Sequence, residues 1–406
     1  MLINNKLCVD KILGCLFLFV TIIDGLAIGS MDTTLVSHDV TALLIKLKYA
    51  IVFIMIAFLF KVGIKKGNAY LCVLPIIYWI VLFINERSDN IEFNILTPLL
   101  LSMFCLLNNN CKRWVFEKYR LYIILVSICG IVASLSPILP LGFPYRVVEY
   151  YGNETAVYLD FKFSYIYIND DIPRLCGLFN EPGYFGTITA LMLIADGCRL
   201  KHWGNIVILI AGGLSLSLAF FLLIVLYFVL RQVKNTVRLV VTISIFVLFI
   251  VSIPNIKVDN PGVQRLINRF YVEDGNMAGN NRTSDQFEMV YESMFDDGSF
   301  LFGRGTSYLQ EKRIGAGSYK AYVMRFGIIG YFFLIAPLLY FALCFARKNY
   351  MALIFTLCFF ISIYQRPHVY APTYFVILFG GILYILSMSK SKSHIKQLKI
   401  CGSRSI

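Results

Sequence analysis

Apolar residues run through this chain in blocks, and short polar strips separate them. Residues 12–28, 50–60 with their flanks, 69–84 and 121–141 are each apolar over a length that matches the hydrocarbon core of a bilayer rather than a 3.6-residue stripe on a soluble helix. The pattern predicts an all-α polytopic membrane protein, with 1–406 as a single transmembrane domain. Two polar interruptions are far longer than the rest. Residues 142–182 form a first large loop, and residues 255–320 a second that carries an amphipathic helix.

The charge pattern orients the spans. Lys and Arg concentrate in the short segments 61–66, 112–120, 199–202, 231–238 and 346–349 and in the tail 390–404, which the positive-inside rule places in the cytoplasm. Segments 31–41, 85–90, 142–182, 255–320 and 365–371 then face outside. One run conflicts with this scheme: residues 205–230 are apolar throughout, yet both ends are basic. A bend at Gly212-Gly213-Leu-Ser215-Leu-Ser217 resolves it by making two short helices that return to the same face. The reading is then about twelve membrane segments with both termini cytoplasmic.

Composition agrees. The chain is 58% hydrophobic and only 15% charged, against roughly a quarter charged in soluble domains, and its mean hydropathy is +0.71. The net charge of +13 sits in scattered inter-helix loops, without an aromatic-interleaved basic domain, so nucleic acid is not an expected partner. Lys6, Lys11 and Ala27-Ile-Gly29 resemble a cleaved leader, but Asp24 interrupts its apolar run and an uncleaved first span is expected. The eleven cysteines lie in or beside apolar blocks and in basic strips, with Cys176 alone in the first large loop. Neither a disulfide framework nor a metal-ligand spacing emerges, and no cofactor is called for.

The candidate chemistry lies in the long loops. Residues 171–186 read Asp-Ile-Pro-Arg-Leu-Cys-Gly-Leu-Phe-Asn-Glu-Pro-Gly-Tyr-Phe-Gly and enter an apolar segment, with Asn180 as a candidate N-cap and Pro182 in the first turn. Charge is scarce here, so Arg174 and Glu181 at a helix mouth are candidates, either for binding an anion or for pairing with each other to pin the loop. In the second loop, residues 284–295 carry Phe287, Val290, Tyr291, Met294 and Phe295 at helical spacing, which suits a helix on the membrane surface or a lid over the bundle. Arg282 precedes it, and Gly303-Arg304-Gly305 follows as a candidate anion nest. Tyr319 opens the next span, with Arg325 about one turn inside; an arginine there costs about 2.5–3.5 kcal/mol unless paired or hydrated. Gln365-Arg366-Pro367-His368 ends the following span, and His368 is a candidate proton carrier. Arginine grips phosphate through a planar fork, so the set points to an anionic headgroup.

Arg174-x-x-Gly177-Leu-Phe-Asn-Glu181-Pro182-Gly183, the run from Arg282 to Gly303-Arg304-Gly305, and Gly327-Ile-Ile-Gly330 together resemble the O-antigen polymerases of the Wzy type, within the O-antigen polymerase and ligase family of membrane glycosyltransferases. The resemblance covers residues 140–345. It implies a GT-C-like membrane enzyme of the bacterial inner membrane with both loops periplasmic. The implied reaction is metal-independent transfer of a growing glycan from undecaprenyl pyrophosphate to a new lipid-linked repeat unit. The partners implied are undecaprenyl-pyrophosphate-linked oligosaccharides and the lipid bilayer, with room for a chain-length regulator protein. The catalytic set expected is Arg174, Glu181, Arg282, Arg304 and His368, with Arg325, Arg366 and Tyr319 expected to bind substrate. Family ligases carry His-Asn where this chain has Ala316-Gly317. That departure disfavours the first alternative, an O-antigen ligase, and leaves the general base unassigned. The second alternative, a flippase for lipid-linked oligosaccharides, calls for more intramembrane charge than Asp24 and Arg325 supply.

Overall fold

The computed structural model describes residues 2–26, 38–62, 70–85, 96–136, 142–151, 155–169, 172–252, 272–273, 276–277, 285–305, 308, 312, 318–347, 349–366 and 370–389. It is mostly helical. α1 (Leu2–Gly25) and α2 (His38–Val62) pack side by side, followed by α3 (Val73–Asn85), α4 (Leu96–Leu106) and α5 (Asn109–Leu135). A four-stranded sheet intervenes before α6 (Pro182–Ala195), α7 (Trp203–Leu214), α8 (Leu218–Gln232) and α9 (Thr236–Ser252). α10 (Asp285–Asp296) and the single turn α11 (Ser299–Phe302) precede α12 (Tyr319–Ala346) and α13 (Tyr350–Gln365). The last helical run, α14 (Pro372–Ser389), passes through a π-turn at Val376–Gly380.

Among the described residues, α5, α12 and α14 are long and apolar enough to cross a membrane, and seven shorter apolar helices of 10–17 residues accompany them. α6 is buried on nearly every side and packs against α7, α8, α13 and the last strand before it. The periphery is apolar too: Phe83 is 79% exposed on α3 and Val237 74% on α9, with Phe332 and Phe333 outward on α12. Such a surface is at home against lipid tails and not against water.

Three features differ from the sequence reading. First, the first large loop is a folded antiparallel meander of β1 (Arg146–Tyr151), β2 (Thr155–Asp160), β3 (Tyr165–Asn169) and β4 (Ile172–Gly177), in that order across the sheet. Alternate β-branched and aromatic residues bury Val148, Tyr158, Tyr165 and Cys176 together. Second, segment 112–120 lies within α5. Asn108 caps that helix by accepting from the Cys111 amide at 2.7 Å, and the buried Lys112 donates its Nζ to the Cys105 carbonyl at 3.0 Å. A long stem lets a lysine run along apolar surface to a polar partner, so a basic strip need not be a loop. Third, the cap of α6 is Glu181 and not Asn180, with Pro182 at the first helical position. Asn180 is held just outside by the Tyr158 hydroxyl, which donates to its carbonyl at 2.9 Å.

The bend is where the sequence reading put it. α7 ends at Leu214, α8 begins at Leu218, and Leu216 takes a left-handed φ of 47°. The chain returns to the same end of the bundle: a Cβ at Gly197, before α7, would lie 3.7 Å from the Tyr227 hydroxyl near the close of α8.

Candidate functional site

α6 presents its N-terminus to the sheet on one side and to the end of α13 on the other, and three of the expected residues meet there. Arg174, on β4, reaches the helix break. Its Nε donates to the Ser215 carbonyl and its Nη2 to the Leu216 carbonyl, each at 3.2 Å, above the Tyr167 ring. These carbonyls end α7, where the backbone dipoles present partial negative charge, so a guanidinium is well placed. The break in turn abuts α6, since a Cβ at Gly186 would sit 2.5 Å from Ser217 Cβ.

Glu181 forms an ion pair with Arg366, at the end of α13. The guanidinium comes up against Gly183, one turn before Gly186, with its Nη2 end nearest: a Cβ at Gly183 would have no room beside Arg366 Nη2. The burial is lopsided, with the Arg366 side chain 7% exposed and the Glu181 side chain 53%. Arg366 Nε is buried and has no hydrogen-bond partner among the described residues. Arg366 and the uncapped first turn of α6 therefore add positive potential in one place.

The remaining expected residues form a second group beside it. Tyr319 opens α12 and stacks on Tyr364, two residues before Arg366, with ring centroids 4.6 Å apart. Arg304 is held by its own neighbourhood, bonding Ser299 Oγ, Tyr308 hydroxyl, Ser293 Oγ and Asp297 Oδ2 at 3.1, 3.1, 2.9 and 2.6 Å. The backbone amides of Arg304 and Gly305 donate to the Met324 and Arg325 carbonyls, so this turn is not the anion nest expected from its glycines. Arg325 lies over the Tyr322 ring, and its buried Nε has no hydrogen-bond partner among the described residues. α10 packs as a lid, burying Phe287, Tyr291 and Met294 against Ala321, Val323 and Met324 of α12, with Lys320 and Glu288 paired at 2.6 Å. Arg282 and His368 lie outside the described residues.

A polar cluster at the opposite end of α6 escaped the sequence reading. Asp196, fully buried, pairs with Arg120, Arg199 and His202, and accepts from Asn205 Nδ2 at 2.7 Å and the Tyr384 hydroxyl at 2.9 Å. Burial alone would raise its pKa, but Arg120 and the bonds from Asn205, His202 and Arg199 outweigh it and hold the carboxyl below its ordinary value. The signal was a lone acid closing an apolar run, with Arg199, His202 and Asn205 spaced behind it. Asp24 on α1 is paired with Lys48 on α2 at 3.0 Å. Among the described residues no group of three or more His, Cys, Asp or Glu side chains is placed to hold a metal ion.

No protein-family model, curated protein or solved structure matches the chain.

Proposed function

We propose that this protein is a membrane glycosyltransferase that polymerises O-antigen or related surface-polysaccharide repeat units, passing the growing glycan from undecaprenyl pyrophosphate to a new lipid-linked unit. The reading includes about twelve spans in a GT-C-like arrangement, both termini in the cytoplasm and the loops on the periplasmic side of the bacterial inner membrane. The return of α7–α8 to one end of the bundle favours this topology, because it lets both basic flanks share a face.

The observation that carries the proposal is the buried Arg366 paired with a half-exposed Glu181 at the N-cap of α6. The half-exposed Glu181 can swing aside and release the buried Arg366 to an anion arriving from the polar side. In the proposed reaction the acceptor hydroxyl oxygen attacks the anomeric carbon, the bond from that carbon to the phosphate oxygen breaks, the pyrophosphate departs with the electron pair, and the hydroxyl proton passes to water. Arg366 stabilises the departing charge, Glu181 orients Arg366, and Arg174 keeps the α7–α8 break against α6. One charge pair at about 4 Å contributes on the order of 4 kcal/mol at an effective dielectric near 20, before desolvation.

The test is the surface glycan of cells lacking the protein. A core carrying one repeat unit supports polymerisation. Bare core with polymer stranded on the lipid carrier indicates a ligase, and loss of both products indicates a flippase.

A further inference from the structure

α12 is broken about two turns from its start: Gly327 has φ 68° and ψ 172°, outside the helical region. The segment that follows α11 is laid directly on this break. Arg304 N donates to the Met324 carbonyl at 2.7 Å and Gly305 N to the Arg325 carbonyl at 3.1 Å, so two carbonyls at the rim of the break take their donors from another part of the chain. The approach is backbone on backbone. A Cβ at Gly303 would lie 2.5 Å from both the Arg325 oxygen and the Gly327 nitrogen, and one at Gly327 would lie 2.2 Å from the Leu301 oxygen. Neither glycine has room for a side chain.

The Arg304 side chain holds the turn in the shape this docking needs. Its Nε, Nη1 and Nη2 all have partners, on α10, on α11 and on Tyr308. Asp297, the acid of that set, also accepts from the Ser299 amide at 2.9 Å, which ties the guanidinium to the start of α11. Arg325, whose own carbonyl is in the docked pair, keeps a buried Nε with no hydrogen-bond partner among the described residues. Two arginines meet at one break: the first is bound on all sides, and the second is held by what the first supports.

We infer that Arg304 is a positioning residue, locking the Gly303–Gly305 turn onto the Gly327 break and thereby setting Arg325 toward an anionic ligand. The lock stands on geometry alone; its link to activity rests on the glycan-transfer reading.

Hydrogen exchange on the full-length protein in lipid nanodiscs tests the lock. In the wild type the amides of Arg304 and Gly305 should exchange at least about tenfold more slowly than an open loop. Arg304→Gln, Gly327→Ala and the milder Asp297→Asn should each remove most of that protection and leave α6 and α13 unchanged. Fast exchange in the wild type, or protection unaltered in Arg304→Gln and Asp297→Asn, would overturn the lock. Glycan-polymer yield tests the link. Arg304→Lys should retain part of the yield that Arg304→Gln loses, and the Arg304→Gln/Arg325→Gln pair should fall no further than Arg325→Gln alone. Multiplied losses in the pair would overturn a role through Arg325 and assign Arg304 its own contact. Protected amides in a wild type that transfers no glycan would remove the glycan reading and leave the lock standing.

Discussion

The two ends of α6 carry similar residues in opposite arrangements. At its C-terminus the acid is buried and the bases lie outside it: Asp196 is fully enclosed, while the Arg199 and His202 side chains are 34% and 48% exposed. At its N-terminus the base is buried and the acid lies outside. Arg120 Nε, like Arg366 Nε, has no hydrogen-bond partner among the described residues, so an unpartnered nitrogen does not by itself mark a ligand site. The difference is the sign of the charge turned inward. An enclosed carboxylate ringed by donors is neutralised and joins α5, α6, α7 and α14, whereas the enclosed guanidinium over a helix N-terminus has one half-exposed carboxylate as its counter-charge.

Substitutions at the two ends should therefore separate stability from activity. The largest effect is expected for Asp196→Ala, which strands buried donors and should destabilise the fold by about 3–5 kcal/mol, seen as lost protein and a lowered melting temperature in detergent. Stability and activity falling together after Arg366→Gln would erase the contrast. That variant should instead keep normal protein levels and lower polymer yield by about a hundredfold, in the range for removing one stabilising donor at a transition state. Arg174→Lys retains the charge but not the two-point contact with the Ser215 and Leu216 carbonyls, and should cost about tenfold in yield. A smaller effect is expected from Gly183→Ala, whose new methyl must push the Arg366 guanidinium aside; a severalfold fall in yield with an unchanged melting temperature would sharpen the assignment.

The smallest effect is the response to pH. Asp196 has a depressed pKa in the folded state, so its contribution is fully present above the ordinary carboxylate value of about 4 and is lost as pH falls through its lower folded value. Asp297, held down to about 2 by the hydroxyl and amide of Ser299 and then by Arg304, behaves in the same direction. Melting temperatures should show no carboxylate-linked decline between about pH 8 and pH 5. A carboxylate-linked fall in that interval would mean that at least one of the two is not held as described.

The sequence disclosed what depends on local pattern. Apolar blocks gave the membrane class, Gly212 to Ser217 gave the break, and the spacing of Phe287, Tyr291 and Met294 gave α10. The strip from Arg174 to Gly186 located the N-terminus of α6 to within one residue. Partnerships across the chain were not visible. Glu181 meets Arg366 and Arg120 meets Asp196 only through packing, and no local rule selects those partners. The meander was missed for another reason. Its Val, Tyr and Ile runs carried a strand signal, but a polar stretch between apolar spans invites reading as a loop.

The most direct measurement is the glycan ladder of cells that lack the protein and express the Arg366→Gln variant at wild-type levels. The expected result is core bearing a single repeat unit with the ladder gone, while the wild-type gene restores it. A full-length ladder from Arg366→Gln would contradict an anion site at the N-terminus of α6.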